Sequence, residues 1–273
     1  MKSSAKQSAA PAPLLRHGAS AGVATLTLDN PASRNALSLA MIEALSGALA
    51  AAAADKSVRA IVIAAEGPAF SSGHDLREIA GRRKDRDAGK EFYERLMEAC
   101  AQMMQAIVAL QKPVIAAVEG VATAAGCQLV AACDLAIAGT EARFATPGVN
   151  IGLFCSTPLV AIGRAISRKH AMEMALTGAL YTAGEAERFG LVNRVVAAGR
   201  ALAEAQELAA HIATRSAKTL AIGKKTFYAQ IEMSLGEAYA LASHAMAENL
   251  ALSDACEGIA AFLEKRAPRW EGE

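Results

Sequence analysis

Between Val23 and Asp29, Thr25 and Thr27 interleave with Leu26 and Leu28, the period of two that marks a half-buried strand. Asn30 and Pro31 then turn the chain, as expected after an edge or hairpin strand. From Leu39 the spacing changes: Ile42, Leu45 and Leu49 fall on one helical face, Ser38 stands where a cap belongs, and Ala50 to Ala54 extend a strong helix former. The runs RAIVIAA (Arg59 to Ala65) and VIAAV (Val114 to Val118) do not alternate, which predicts strands buried on both faces, as in a parallel sheet covered by helices. Leu135 to Ala138 and Leu191 to Val196 are weaker versions of the same signal, and helical stretches at Phe92 to Leu110 and Ala125 to Cys133 lie between strands. The class is α/β. After about Ala201 only helical patterns remain, over Ala203 to Ala213, Ala217 to Ile231, Leu235 to Leu252 and Cys256 to Lys265. So small a helical tail buries little surface alone, so it is expected to pack on the core or on another subunit of an oligomer. The organisation predicted is a flexible tail over residues 1–13, a core over 14–200 and a helical region over 201–273.

Composition narrows the partners. The 273 residues, 53% of them hydrophobic, suffice for one large domain, and 28 Lys plus Arg against 27 Asp plus Glu leave a net charge of +1. That balance gives no reason to expect nucleic acid or an anionic membrane surface, and no apolar run reaches membrane-spanning length. Cys100, Cys127, Cys133, Cys155 and Cys256 form an odd set without a CxxC pair, which speaks against a disulfide framework and a metal site. Together with an N-terminal segment, MKSSAKQSAAPAP, that carries no signal or transit pattern, this predicts a cytoplasmic protein.

Two segments carry candidate chemistry. In EGPAFSSGHDL (Glu66 to Leu76) and EGVATAAGCQ (Glu119 to Gln128) a buried strand runs through small residues towards a helix start. Backbone N–H groups are free at such places and hold an oxyanion without a cationic side chain. His74 and Ala125 are the natural donors. Gly-rich strand-to-helix loops also serve close packing alone, so spacing leaves both readings open.

The segments RNALS (Arg34 to Ser38), AFSSGHDL (Ala69 to Leu76), PVIAAVEGVATAAGCQLVAACD (Pro113 to Asp134), FATPGVNIGL (Phe144 to Leu153) and EGIAAFLEKRAPRW (Glu257 to Trp270) resemble, in order and spacing, the enoyl-CoA hydratase/isomerase (crotonase) family. The resemblance implies a spiral of ββα repeats with a C-terminal helical trimerisation region, assembled as a homotrimer or dimer of trimers. It implies an acyl-CoA substrate, with coenzyme A arriving as part of it and no tightly bound cofactor or metal. The N–H groups of His74 and Ala125 become an oxyanion hole. Arg34, the Ala36 backbone, the first loop with Ser71, Gly73, Asp75 and Leu76, and Phe262 and Lys265 from the last helix would hold the coenzyme A.

Hydratases of this family use two glutamates, one to take a proton and one to give it. Their places here are Gln128, which does not titrate, and Gly148, which has no side chain. The other polar candidates are Asn150, Cys155, Ser156 and the His74 side chain, each also readable as a turn, packing, capping or exposed residue. Isomerisation, decarboxylation, slow hydration through the oxyanion hole alone, and acyl-CoA binding without catalysis all remain open. A Ser–His hydrolase built on Ser71, Ser72 and His74 lacks a GxSxG elbow, and a dinucleotide site lacks GxGxxG after a first strand.

Overall fold

The protein is described by a computed structural model over residues 13–271. Apart from residue 13, the expected N-terminal tail lies outside the described residues. The chain opens with a hairpin, β1 (Leu15–Ser20) and β2 (Val23–Leu28), followed by α1 (Leu39–Ala54), whose Ser38 side chain accepts the Met41 N–H as the sequence predicts. Then come β3 (Ala60–Ala65), β4 (Ala69–Ser71), α2 (Leu76–Arg82) and α3 (Lys90–Ala109). A second repeat supplies β5 (Val114–Val118), β6 (Val121–Thr123) and α4 (Ala125–Ala132), and a third supplies β7 (Leu135–Gly139), β8 (Arg143–Ala145) and α5 (Ser156–Ala165). After α6 (Arg168–Thr177), β9 (Tyr181–Thr182), α7 (Ala183–Phe189) and β10 (Arg194–Val196), the chain is helical: α8 (Ala201–Ala213), α9 (Ala217–Gln230), α10 (Leu235–Leu250) and α11 (Ser253–Leu263).

The ββα repeats build a two-sheet spiral. The first strand of each repeat enters a six-stranded sheet ordered β1-β2-β3-β5-β7-β10, parallel from β2 onward, and the second enters a four-stranded sheet ordered β4-β6-β8-β9. The alternation of β3 explains why its run is uniformly apolar: Ile61 and Ile63 join the main core, while Ala60, Val62 and Ala64 face Ala201, Ala205 and Ala209 of α8. The first helix of the C-terminal region therefore packs on the core, as a tail of its size requires. Glu119 fastens that helix by accepting the Ala201 N–H at 3.0 Å, a carboxylate on the positive end of the helix.

The small sheet is absent from the sequence reading. Its strands are two or three residues long and sit within the loops, too short for periodicity to register. They matter because β4 pairs with β6, Ala69 with Val121 and Ser71 with Ala122, and so set the two candidate loops side by side. Among the described residues no helix is long and apolar enough to cross a membrane.

Candidate functional site

Each loop leaves the small sheet for a helix. Ser72, Gly73 and His74 carry β4 to Asp75, whose carboxylate accepts the N–H groups of Arg77 and Glu78 and starts α2. Ala124, with φ 50° and ψ −119°, swings β6 directly into α4, so that Ala125 is the first residue of that helix and its N–H belongs to the turn without intrahelical acceptors.

Two glycines let the loops touch. A Cβ on Gly73, whose φ is +84°, would stand 2.9 Å from Ala124 Cβ and 3.2 Å from Ala125 N. A Cβ on Gly126 would stand 2.4 Å from the Ser71 carbonyl oxygen. The first loop at Gly73 thus lies against the start of α4, close to the Ala124 methyl, the Thr123 carbonyl and the Ala125 N.

A third segment holds the first loop in place, and its key residue, Asn35, was missed by sequence reasoning. Arg34 and Asn35 are both left-handed, φ 56° and 52°, and the buried Asn35 carboxamide donates to the Glu66 and Ala69 carbonyls at 2.8 Å each and accepts the Asn30 N–H at 2.8 Å. Its carbonyl accepts the Ser71 hydroxyl at 2.9 Å, and the Gly73 carbonyl accepts the Leu37 N–H at 2.7 Å. The available signal was an Asn in a short polar turn just before the Ser38 helix cap.

The remaining candidates sort as follows. Ser71 is fully buried, its hydroxyl also accepting the Gly73 N–H at 3.3 Å, so its side chain is spent within the loop. Ala36 is buried, Arg34 is exposed and Leu76 is half exposed beside the first loop. His74 Nδ1 lies 3.1 Å from the Leu37 carbonyl oxygen while Nε2 is buried without a partner. Burial holds the His74 ring below its ordinary titration range, against the opposing pull of the Leu37 carbonyl and Glu78. Gln128, 3% exposed, has an unpartnered Oε1, and the Thr146 hydroxyl, absent from the sequence candidates, is likewise buried and unpartnered beyond the end of β8.

Gly148 lies in a 3-10 turn, Pro147–Ile151, and its side-chain volume is already taken: a Cβ there would stand 2.7 Å from the Leu153 carbonyl oxygen and 2.9 Å from Cys155 Sγ. Cys155 is buried at the start of α5 and burial pushes its thiol up, as it does Cys127 to about 12 and Cys100 to about 11, leaving these sulfurs protonated and inert. Ser156 is exposed, and exposed Asn150 reaches the Gly178 carbonyl at 3.5 Å, tying its turn to the end of α6. Phe262 is 82% exposed on α11, with Lys265 just beyond it, so neither belongs to the core of its own chain. Among the described residues no three His, Cys, Asp or Glu side chains gather in a way that holds a metal ion.

Comparison with known proteins agrees with this layout. The family model for enoyl-CoA hydratase/isomerase matches residues 18–273. The mitochondrial enoyl-CoA hydratase domain-containing protein 3 of Rattus norvegicus is 48% identical over 249 residues, 91% of this chain and 81% of the rat protein, and its Homo sapiens counterpart is 47% identical over 252 residues, 92% and 82%. The crystal structure of the human protein of that name superposes with a TM-score of 0.89 at 45% identity, covering 94% of this chain and 100% of that one. An enoyl-CoA hydratase from Mycobacterium smegmatis also gives 0.89, at 49% identity over 95% and 99%. These relatives correct the expectation of a cytoplasmic protein, because the domain-containing-protein-3 relatives are named mitochondrial. Unpaired thiols indicate only a reducing compartment, which is not a single address. From residue 18 to its end this chain belongs to the enoyl-CoA hydratase/isomerase family.

Proposed function

We propose that the chain binds an acyl-CoA thioester and holds its carbonyl oxygen with the N–H groups of His74 and Ala125, stabilising an enolate without a carboxylate pair. The close approach of Gly73 to the start of α4 supports this reading, since a Cβ added at Gly73 would stand only 3.2 Å from Ala125 N. Removal of one such preorganised donor typically costs about 3 to 4 kcal/mol of transition-state stabilisation. Coenzyme A would run past exposed Arg34, the Ala36 backbone and the first loop, with Phe262 and Lys265 supplied by a neighbouring subunit of a trimer or dimer of trimers. Their exposure supports that role, because side chains outside their own core are available to a second copy.

Gln128 and Gly148 remove the proton-transferring pair, so hydration should be slow, each missing group being worth about 10²- to 10⁴-fold. Loss of carbon dioxide from a carboxylated acyl group reaches the same enolate without a base: the breaking carbon–carbon bond delivers its electron pair towards the thioester oxygen. The absence of both carboxylates favours that step over hydration, and isomerisation would need another group to carry the proton between carbons. Acyl-CoA binding without turnover is the remaining alternative.

A panel of acyl-CoA esters followed by mass spectrometry, alongside thermal-shift binding, tests the proposal. Turnover of any ester identifies an enzyme, binding with no product identifies a binding protein, and neither binding nor product ends the thioester reading.

A further inference from the structure

The segment from Arg77 to Lys90 forms most of α2 and its connection to α3, and it holds six of the 28 Lys and Arg residues against three of the 27 Asp and Glu. The rest of the chain carries 22 against 24, so a nearly neutral protein gathers its excess positive charge here. Arg77, Arg82, Arg83, Lys84, Arg86 and Lys90 are all exposed. The carboxylates nearby are committed elsewhere. Glu78 accepts the Leu39 N–H at 3.1 Å, Asp87 starts α3 by accepting the N–H groups of Gly89 and Glu91 at 3.0 and 2.7 Å, and Asp85 lies 3.8 Å from Arg82. Among the described residues, Arg77, Arg83, Lys84 and Arg86 have no carboxylate within ion-pair reach. The connection holds its shape, because the Tyr93 hydroxyl donates to the Ile79 carbonyl at 3.1 Å and the Arg82 guanidinium lies over the Phe92 ring at 4.7 Å.

Place and shape select the partner. Asp75 caps α2 directly after His74, and the helix rises only about 10 Å from its first residue to Arg82, so the cations stand one short helix away from the proposed oxyanion donor. Residues 80–88 are exposed without a break, an open surface and not the cleft that encloses a small molecule. Apolar side chains are few: Ile79 packs towards the core, and the exposed Ala80 and Ala88 are too small to anchor a helix in a lipid interface. Such a surface suits the acidic face of another protein, steered to it by charge.

We infer that Arg83, Lys84 and Arg86 dock an acidic carrier domain that presents its acyl group as a phosphopantetheine thioester, so that the site serves carrier-bound as well as coenzyme A thioesters. The inference rests on the thioester reading above and adds the form in which the thioester arrives. The pantetheine arm is common to coenzyme A and to such a carrier, so one pair of N–H groups serves both. What differs is the far end of the arm, a nucleotide in one case and a negatively charged protein face in the other. Docking through the cations alone can be weak, because entry of the arm into the site links a second contact to the first and raises the effective concentration of each.

Calorimetry on the full-length protein in its native assembly tests this, with butanoyl-CoA and the butanoyl thioester of a purified acyl carrier protein as probes. The wild-type protein is expected to bind both. Combining Arg83→Glu, Lys84→Glu and Arg86→Glu, all at exposed positions, should weaken the carrier thioester at least about tenfold and butanoyl-CoA less than about twofold, the second probe also reporting that the variant is folded. Added salt should weaken the carrier in the wild type and far less in the variant. Butanoyl-CoA binding without carrier binding, or carrier binding untouched by the three substitutions, overturns the inference. So does an equal loss of butanoyl-CoA, which assigns the cations to the phosphates of coenzyme A, and so does binding to phosphatidylcholine–cardiolipin vesicles that the substitutions abolish while the carrier does not bind, which assigns them to a membrane. Failure of the wild-type protein to bind either thioester defeats the thioester reading itself, a result distinct from these.

Discussion

His74 places Nδ1 3.1 Å from the Leu37 carbonyl oxygen and leaves Nε2 buried with no partner. With the Nδ1 hydrogen donated to that carbonyl, Nε2 carries a lone pair, and protonating it puts a charge where burial opposes one. An unfolded chain takes up that proton near the ordinary histidine value of 6.5, and the folded chain only at lower pH. Below 6.5 the unfolded state therefore binds more protons, so the stability His74 contributes is fully present above that pH and is lost as pH falls through the folded value. Urea unfolding between pH 8 and 5 should show a decline beginning below about 6.5, with a limiting slope of about 1.4 kcal/mol per pH unit. His74→Gln should flatten it. An unchanged slope would assign the decline to other groups.

At the two positions that the family resemblance assigns to the hydratase glutamates, the substitutions back differ in kind. Gln128→Glu changes little but an amide, whereas Gly148→Glu forces a side chain against the Leu153 carbonyl and Cys155 Sγ. Gly148→Glu is expected to destabilise by about 1 to 3 kcal/mol, and the double variant to gain little hydration of crotonyl-CoA over Gln128→Glu alone. A double variant of wild-type stability with fast hydration would show that the 148–155 turn opens freely.

Asn35 fastens three peptide groups around the first loop, so Asn35→Ala should cost about 2 to 3 kcal/mol in chemical denaturation. Asn35→Gly accepts the positive φ without strain and isolates the hydrogen-bond share. If Gly restores full stability, the backbone and not the carboxamide network is what matters.

Lys224 and Asp134, with side chains 8% and 15% exposed, form a fastening of α9 that is shielded from water. Lys224→Met leaves the Asp134 carboxylate with only the Val114 N–H and the Tyr228 hydroxyl, and should lower stability by about 3 to 5 kcal/mol. Glu232→Gln, breaking an exposed pair, should cost less than about 1 kcal/mol. Hydrogen exchange of α9 amides should rise in the first variant and stay near wild type in the second.

Much of this was legible beforehand, for physical reasons. The doubly buried strands β3 and β5 and the capped helix α1 announce themselves because burial on both faces, or on one stripe, fixes every residue in a run. His74 and Ala125 stand out as loop ends feeding helices. What stayed hidden was interaction at a distance: Asn35 reaches 31 and 34 residues ahead to its acceptors, Lys224 90 residues back to Asp134, and the small sheet consists of pairings between strands of at most three residues. Nor does a sequence tell an empty position from an occupied one, and only packing reveals that the volume at Gly148 belongs to Leu153 and Cys155.

Backbone atoms crowd close where Gly73 meets α4 and Gly126 meets Ser71, and this bears on how such a protein changes over time. Ordinary substitution rewrites side chains and leaves amides where the fold has put them, so apart from the two glycines and the small residues they touch, the meeting point offers mutation little to erase. Proton-transferring groups can drift away from around it while the proposed hold on a thioester carbonyl would endure, ready to serve whatever chemistry the neighbouring side chains next permit.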